Sequence, residues 1–277
     1  FSGKGAKGTS PLDAAGVPVF QVALATSRRK AWAEAERGLS PADLAMHVVL
    51  PEVDGRITGG IVSFKEPGKR DPQLEYSRFA HRPEQERIET VVNRVSGWIR
   101  LGIKPKAEIT PVLVLSTYPG KDWQMAHAVG LDALASAEAA LTDLQEKGYK
   151  THADSALHEE LQNKTISWPA AEYSQALATL PPQLRQNLHD VWGDFQNDPA
   201  FSQEAFHFNA TLRGKAIVPL QPERGTPKLR EDEYHDLSRT PRHGYVAFYL
   251  WLRHAQHADA LIHMGAHDTL EWLPGKS

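Results

Sequence analysis

The chain contains no cysteine. Disulfides, thiolate zinc sites and cysteine nucleophiles are therefore excluded, and any metal chemistry falls to histidine, aspartate and glutamate. That absence fits a cytosolic protein, and a cytoplasmic location is the expectation. Long apolar runs are also missing: none approaches the ~20 residues of a membrane-spanning helix, so no span is expected. There is no strong excess of one charge. Lys and Arg number 31 against 34 Asp and Glu, and the formal net charge of −3 draws the chain neither to nucleic acid nor to an anionic membrane. No internal repeat or low-complexity tract stands out. The opening "FSGKGAKGTSPLDAAG" lacks an initiator Met and the basic-then-apolar pattern of a signal peptide, and it reads like the inside of a longer chain or a processed product. What remains is ordinary globular material. With 277 residues, 41% hydrophobic and 23% charged, the chain has enough core for one large domain or two smaller ones.

Hydrophobic periodicity predicts strands alternating with helices. "VPVFQVALA" (17–25), "HVVLP" (47–51), "ITPVLVLS" (109–116), "KAIVPLQPERG" (215–225) and "DALIHMG" (259–265) read as strands or strand-and-turn segments. "SRRKAWAEAERG", "PEQERIETVVNRVSGWIRL" (83–101), "GLDALASAEAALTDLQEKG" (130–148) and "PRHGYVAFYLWLRHAQH" (241–257) read as helices. Ser40 and Pro41 form a helix start, as N-cap and first helical residue, and Gly148 closes the helix that ends at Lys147. The polar, proline-containing stretch 64–83 is expected to be a long loop, and 151–198 mostly amphipathic helix broken by Pro169, Pro181 and Pro182. The fold class is therefore α/β: a mostly parallel sheet with flanking helices and an inserted helical stretch. The corresponding domain reading is an α/β part at 1–150, a helical segment at 151–214 and a βαβ return at 215–277.

The last sixteen residues, "IHMGAHDTLEWLPGKS", pose the chemical question. Gly275-Lys276-Ser277 resembles the close of a phosphate loop, but the glycine required five residues before Gly275 is Leu270. Gly3, Gly5 and Gly8 match a dinucleotide-loop count with no strand before them, which reads better as a plain loop. His263, His267 and Glu271 recur every four residues. The strand-like "DALIHM" and the break at Gly265 place His263 at a strand tip, with His267 and Glu271 on the loop beyond, where open α/β sheets bind ligands. Imidazole with carboxylate suits a borderline divalent ion such as cobalt, nickel or zinc, and either group also moves protons. The bland alternative is a satisfied core histidine and a solvated loop histidine. Glu52 and Asp54 stand just past the expected strand 47–51, where paired carboxylates share a proton or bind a cation, or merely occupy a turn. Tyr118, Lys121 and Asp122 follow strand 109–116, with Gly120 permitting close backbone approach. "HRP" (81–83) and "RHG" (242–244) put cations beside helix starts, a placement that suits anions but is common on surfaces.

Six stretches together resemble one family, the CobN large subunit of ATP-dependent cobaltochelatase, which is related to the magnesium chelatase H subunit. They are "VPVFQVALATSRR", "LSPADLAMHVVLPEVDGRI", "FKEPGKRDPQLEYSRFAHRPEQERI", "TYPGKDWQMAHAVGLDALASAEAAL", "PRHGYVAFYLWLR" and "ADALIHMGAHDTLEWLPGK". The last is close to the family pattern H-x-G-x-H-G-x-x-E-[FW]-x-P-G-K, and the wording of the others favours the cobalt branch. The resemblance implies a tetrapyrrole- and metal-binding subunit that inserts cobalt into hydrogenobyrinic acid a,c-diamide during cobalamin biosynthesis. Separate AAA+ ATPase and adaptor subunits would use ATP and Mg. Family large subunits are several times longer, so the chain resembles an internal fragment, not competent alone. By the same resemblance, His263 and His267 deliver metal or transfer protons, and Glu271 is a general base or ligand. Glu52, Asp54, Tyr118, Lys121, Arg242, His243 and Lys276 are candidates for substrate carboxylates and amides. The alternatives weighed are a magnesium-type H subunit, a metal-dependent hydrolase built on His263, His267 and Glu271, and a non-catalytic scaffold. Asp268 departs from the pattern, which has glycine there. Aspartate tolerates left-handed backbone at a cost of ~1 kcal/mol and adds negative charge, as an extra ligand or an obstruction.

Overall fold

The computed structural model describes residues 15–35, 38–116, 127–128, 131–153, 157–225 and 239–265. It divides between Gly102 and Ile103 into two compact units, so residue 150 lies inside the second. The first unit contains β1 (Phe20–Ala25), α1 (Arg29–Glu34), α2 (Pro41–Leu44), a π-helical turn (Ala45–Val49), α3 (Leu50–Val53), β2 (Ile57–Asp71), β3 (Tyr76–Pro83) and α4 (Gln85–Ile103). β2 pairs in parallel with β1 and antiparallel with β3, and Ala23, Ala25, Trp32, Leu39, Ile61 and Phe64 form the buried core. The Ser40 hydroxyl accepts from the Asp43 amide at 3.1 Å, with Pro41 in the first turn, as the sequence signature requires. Buried Asp43 in turn accepts from the Thr26 amide and hydroxyl, both at 2.9 Å, tying the helix to the end of β1.

Two expectations fail in this unit. "HVVLP" (47–51) is helical, although its valines favour strands. The helix opened at Ser40 runs on, and the Leu50 amide bonds to the Ala45 carbonyl, five residues back. That wider turn precedes Pro51, whose ring and missing N–H disrupt an ordinary helical turn. The stretch 64–83 is a hairpin and not a long loop: β2 and β3 are joined across residues 72–75, with Glu75 at φ 49°. β1 ends at Ala25, opposite Phe64, so Pro67 lies beyond the reach of β1 in a two-stranded ribbon, at an irregularity where a missing N–H is tolerated.

The second unit comprises β4 (Pro111–Leu115), a short pair β5 (His127–Ala128) and β6 (Leu131–Asp132), α5 (Ala133–Glu146), α6 (Leu157–Asn163), β7 (Thr165–Pro169), α7 (Ala170–Ala178), α8 (Pro182–Trp192), β8 (Phe201–Ser202), β9 (Ala205–Arg213), β10 (Ala216–Pro219), α9 (His243–His254) and β11 (Ala260–Met264). Its main sheet runs β11-β4-β10-β9-β7, with β8 on β9. The β11, β4 and β10 strands are mutually parallel, whereas β9 pairs antiparallel with β10, β7 and β8. The α/β class holds, but the sheets are mixed and not mostly parallel: β10 returns from β9 by a tight turn, which only antiparallel neighbours permit. The expected helical stretch 151–198 likewise contains β7, drawn into the sheet by five register pairs with β9.

β4 is buried throughout, as an apolar run flanked by parallel neighbours should be. Val112 and Val114 face a core that includes Tyr173 of α7 and Phe248 and Trp251 of α9. Leu113 and Leu115 face the opposite core, with Ala137 and Leu141 of α5 and Leu157 and Leu161 of α6. α5 begins on the Asp132 carboxylate, which accepts from the Ala135 amide at 2.9 Å. It ends in a Schellman turn: Gly148, at φ 91°, donates to Gln145 and Tyr149 donates to Leu144. Glu160 of α6 anchors β9 by accepting from Thr211 (2.6 Å) and from buried Arg213 (2.8 Å), and it also pairs with Lys164. Its carboxyl is held down at about 2, chiefly by the hydrogen bonds from Lys164 and Thr211.

Candidate site at the carboxyl ends of the parallel strands

The three parallel strands of the second unit end at one edge of their sheet. The Ser116 amide donates to the Met264 carbonyl at 3.0 Å, and the Gln221 amide to the Leu115 carbonyl at 2.9 Å, so Met264, Ser116 and Gln221 stand side by side just past β11, β4 and β10. The opposite edge is closed by Asp259, whose carboxylate takes the Lys104 ammonium at 2.6 Å and the Thr110 amide at 2.8 Å. Ligand chemistry in such sheets belongs to the carboxyl edge, where the chain leaves each strand and helix N-termini point.

His263 sits on β11 opposite Val114, half-buried, its ring stacked on Tyr249 of α9 with centroids 6.2 Å apart and planes at 21°. The Tyr249 hydroxyl accepts from the Gln221 side-chain amide at 2.6 Å, and the same amide reaches Tyr245 at 3.4 Å. Tyr245 and Tyr249, one helical turn apart, pack with centroids separated by 5.2 Å. The imidazole is thus oriented by an aromatic face that is itself held by a hydrogen bond. Beside it, Ser116 is 5% exposed and its hydroxyl has no hydrogen-bond partner among the described residues. A β-carbon on Gly265 would stand 2.5 Å from the Ser116 β-carbon and 2.7 Å from its hydroxyl, so only glycine lets β11 leave the sheet past Ser116. An imidazole, a serine hydroxyl and a wall of tyrosines at a sheet edge can hold an ion or accept a proton beside a flat ligand.

Arg242 and His243 belong to a different, closed network at the start of α9. Asp198 caps that helix, accepting from the Gly244 amide at 2.8 Å and the Ala200 amide at 2.9 Å, and Arg242 reaches the same carboxylate at 3.5 Å. Gly244 is required here, because a β-carbon would approach Asp198 Oδ1 to 2.8 Å. His243 is 4% exposed, with Nε2 3.1 Å from the Gly193 carbonyl and Nδ1 2.7 Å from the Tyr173 hydroxyl. A carbonyl only accepts, so Nε2 carries the proton and Tyr173 donates to Nδ1: the ring is a neutral structural tautomer. Burial lowers the His243 pKa in keeping with that assignment, and burial raises that of Tyr173.

Glu52 and Asp54 lie in the first unit, and the expectation that they follow a strand is corrected. They stand at the end of α3, before the turn at Gly55 (φ 77°), and the Glu52 carboxylate accepts from the Thr58 hydroxyl at 2.7 Å. Tyr118, Lys121, His267, Asp268, Glu271 and Lys276 fall outside the described residues. Among the described residues, no three His, Asp or Glu side chains gather as a metal site. Of the expected trio, therefore, only His263 is placed. Ser116, Gln221, Tyr245 and Tyr249 were not singled out from the sequence. The signals they do carry are weak: a polar residue ending each apolar run, and two tyrosines spaced i, i+4.

Residues 2–277 match the family described as CobN/Magnesium Chelatase. The chain is 38% identical over 277 aligned residues to the aerobic cobaltochelatase subunit CobN of Pseudomonas aeruginosa, an alignment covering 94% of this chain and 22% of that protein. It is 34% identical to the protein of the same name from Sinorhizobium sp, covering 96% and 22%. The solved catalytic subunit of cobaltochelatase from Mycobacterium tuberculosis superposes with a TM-score of 0.75 at 31% identity, over 94% of this chain and 23% of that one. The chain thus spans about a fifth of the length of the relatives it matches.

Proposed function

The chain belongs to the CobN/magnesium chelatase family, and from that premise we propose that it forms part of a cobaltochelatase large subunit and places His263 at the point of metal insertion. The substrate in this reading is hydrogenobyrinic acid a,c-diamide with Co(II), and ATP and Mg are used by AAA+ and adaptor subunits in the cytoplasm. The observation that carries the assignment is the position of His263: at the carboxyl end of a parallel strand, its ring oriented by Tyr249, on the strand edge shared with buried Ser116.

Insertion requires two pyrrolic N–H protons to leave and the ion to shed water. A half-buried imidazole takes up a proton or replaces a water on the ion. His267 and Glu271, two and six residues past Gly265 in the sequence, supply the second nitrogen and the carboxylate. Tyr118, Lys121 and Lys276 take the acidic and amide side chains of the macrocycle in the same reading; Arg242, held by Asp198, and His243 support the fold.

The full-length subunit, mixed with its ATPase and adaptor partners, Co(II), MgATP and the macrocycle, tests this through the absorption spectrum of the tetrapyrrole. The expected result is macrocycle binding by the subunit alone and a metallation shift only in the complete mixture. Failure of the subunit to bind the macrocycle, or metal-dependent ester or phosphoester hydrolysis without partners, would contradict the proposal.

A further inference from the structure

The first unit carries a feature that the reading above does not use. A cleft of about 460 Å³ opens over the parallel β1–β2 pair, lined among others by Arg29, Trp32, Gly59, Gly60, Arg87 and Arg94. Gly59 and Gly60 of β2 contribute backbone to its lining. The β1–β2 register shifts between Gln21 and Val22, which puts Val22 opposite Gly60, and Gly60 adopts φ 122°. Neither glycine is easily replaced. A β-carbon on Gly59 would crowd the Gln21 carbonyl at 3.1 Å, and the Gly60 conformation is one that other residues rarely adopt.

The three guanidinium groups are positioned in advance. Arg87 lies 4.8 Å and Arg29 5.1 Å from the Trp32 ring, so one indole stacks with both. Arg87 Nε donates to the Ile61 carbonyl at 2.8 Å, and Arg94 Nη1 donates to the carbonyls of Thr58 (3.1 Å) and Gly59 (3.0 Å). Each of these two side chains is anchored along one edge while its other N–H groups stay available, and neither pairs with a carboxylate among the described residues. Glu84 and Glu86 also line the cleft, but Glu84 pairs with Arg29 at 3.5 Å. Three arginines against two glutamates leave a net positive site. Burial and then the like charge of Arg29 lower the pKa of Arg87, against the opposing pull of Glu84 and Glu86.

We propose that this cleft binds a small ligand through a carboxylate or phosphate oxyanion, gripped by the free edges of Arg87 and Arg94, with the apolar part of the ligand against Val48 and Val91. Arginine forks match both oxyanions in two-point geometry, and the volume falls within the range of small-molecule sites. The inference stands independently of the role assigned to His263.

Calorimetric titration of the 277-residue chain at low ionic strength, with tricarballylate and separately with tripolyphosphate, tests it. One saturable site is expected for at least one probe, weakened at least ~10-fold by Arg87→Gln and by Arg94→Gln, and only partly restored in Arg87→Lys, which keeps the charge but not the fork. Tighter binding of tricarballylate identifies a carboxylate ligand, and tighter binding of tripolyphosphate a phosphate ligand. If Arg87→Gln does not fold, the exposed Arg94 carries the test. No saturable binding of either probe, or affinities unchanged in the folded variants, overturns the proposal.

Discussion

Replacing His263 with alanine in the full-length subunit is expected to lower the turnover of cobalt insertion by about 10²–10⁴-fold, the range for loss of a positioned proton-transfer group. The fold should survive, because the ring is only half-buried and stacks on one partner face at the rim of the sheet. Circular dichroism and macrocycle affinity therefore serve as controls and are expected to change little. The two roles open to the imidazole separate kinetically. If His263 holds the ion, the variant raises the KM for cobalt; if it accepts a proton, turnover at saturating cobalt falls while that KM stays constant. Tyr249→Phe keeps the stacked ring and deletes only the hydroxyl that accepts from Gln221. Its expected loss is correspondingly small, below about tenfold. Wild-type turnover in His263→Ala would remove this residue from the chemistry.

The largest expected effect on stability comes from Gly214→Ala. Gly214 forms the turn between β9 and β10 at φ 67°, and the next amide, of Lys215, donates to the Lys150 carbonyl at 2.6 Å. A β-carbon at position 214 would overlap that same carbonyl oxygen. The obstacle is backbone, which cannot swing aside as a flexible side chain does. Left-handed backbone costs an alanine ~1–2 kcal/mol and overpacking adds ~1–3 kcal/mol, so a loss of about 3 kcal/mol is expected. For a unit of this size that is about 10 °C in the melting temperature. Gly148→Ala is the matched control, since its φ is also positive at 91° but nothing lies within 4 Å of the added carbon. It should cost only the ~1 kcal/mol backbone term. Equal losses in the two variants, measured by thermal or urea unfolding, would show that the approach of Lys150 to the turn is not as described.

The sequence disclosed what depends on local chemistry. Ser40 with Pro41 and Gly148 marked helix ends because caps satisfy backbone groups within a few residues. β4 was legible because a strand inside a parallel sheet needs an apolar run. "HVVLP" was misread since propensity is a weak prior and a π-helical turn has no signature of its own. The β2–β3 hairpin was missed because its outer half is exposed on both faces, which erases the two-residue alternation. The site divides along the same line. His263 could be placed at a strand tip from "DALIHMG" alone. Its neighbours could not, because Ser116, Gln221 and Tyr249 gather at that edge only through the strand order β11-β4-β10 and the packing of α9, tertiary relations that local sequence does not encode. Gly265 was read as a strand break, whereas its contact with Ser116 shows why that break must be glycine.

The most direct test of the central claim is the position of the cobalt ion. Anomalous scattering at the cobalt edge, from crystals of the full-length subunit holding the macrocycle and Co(II), locates it without reference to activity. The account requires a peak about 2 Å from a nitrogen of His263, at the carboxyl ends of β11 and β4. A fully occupied cobalt site elsewhere, with the His263 ring still stacked on Tyr249 and touching no ion, would contradict it.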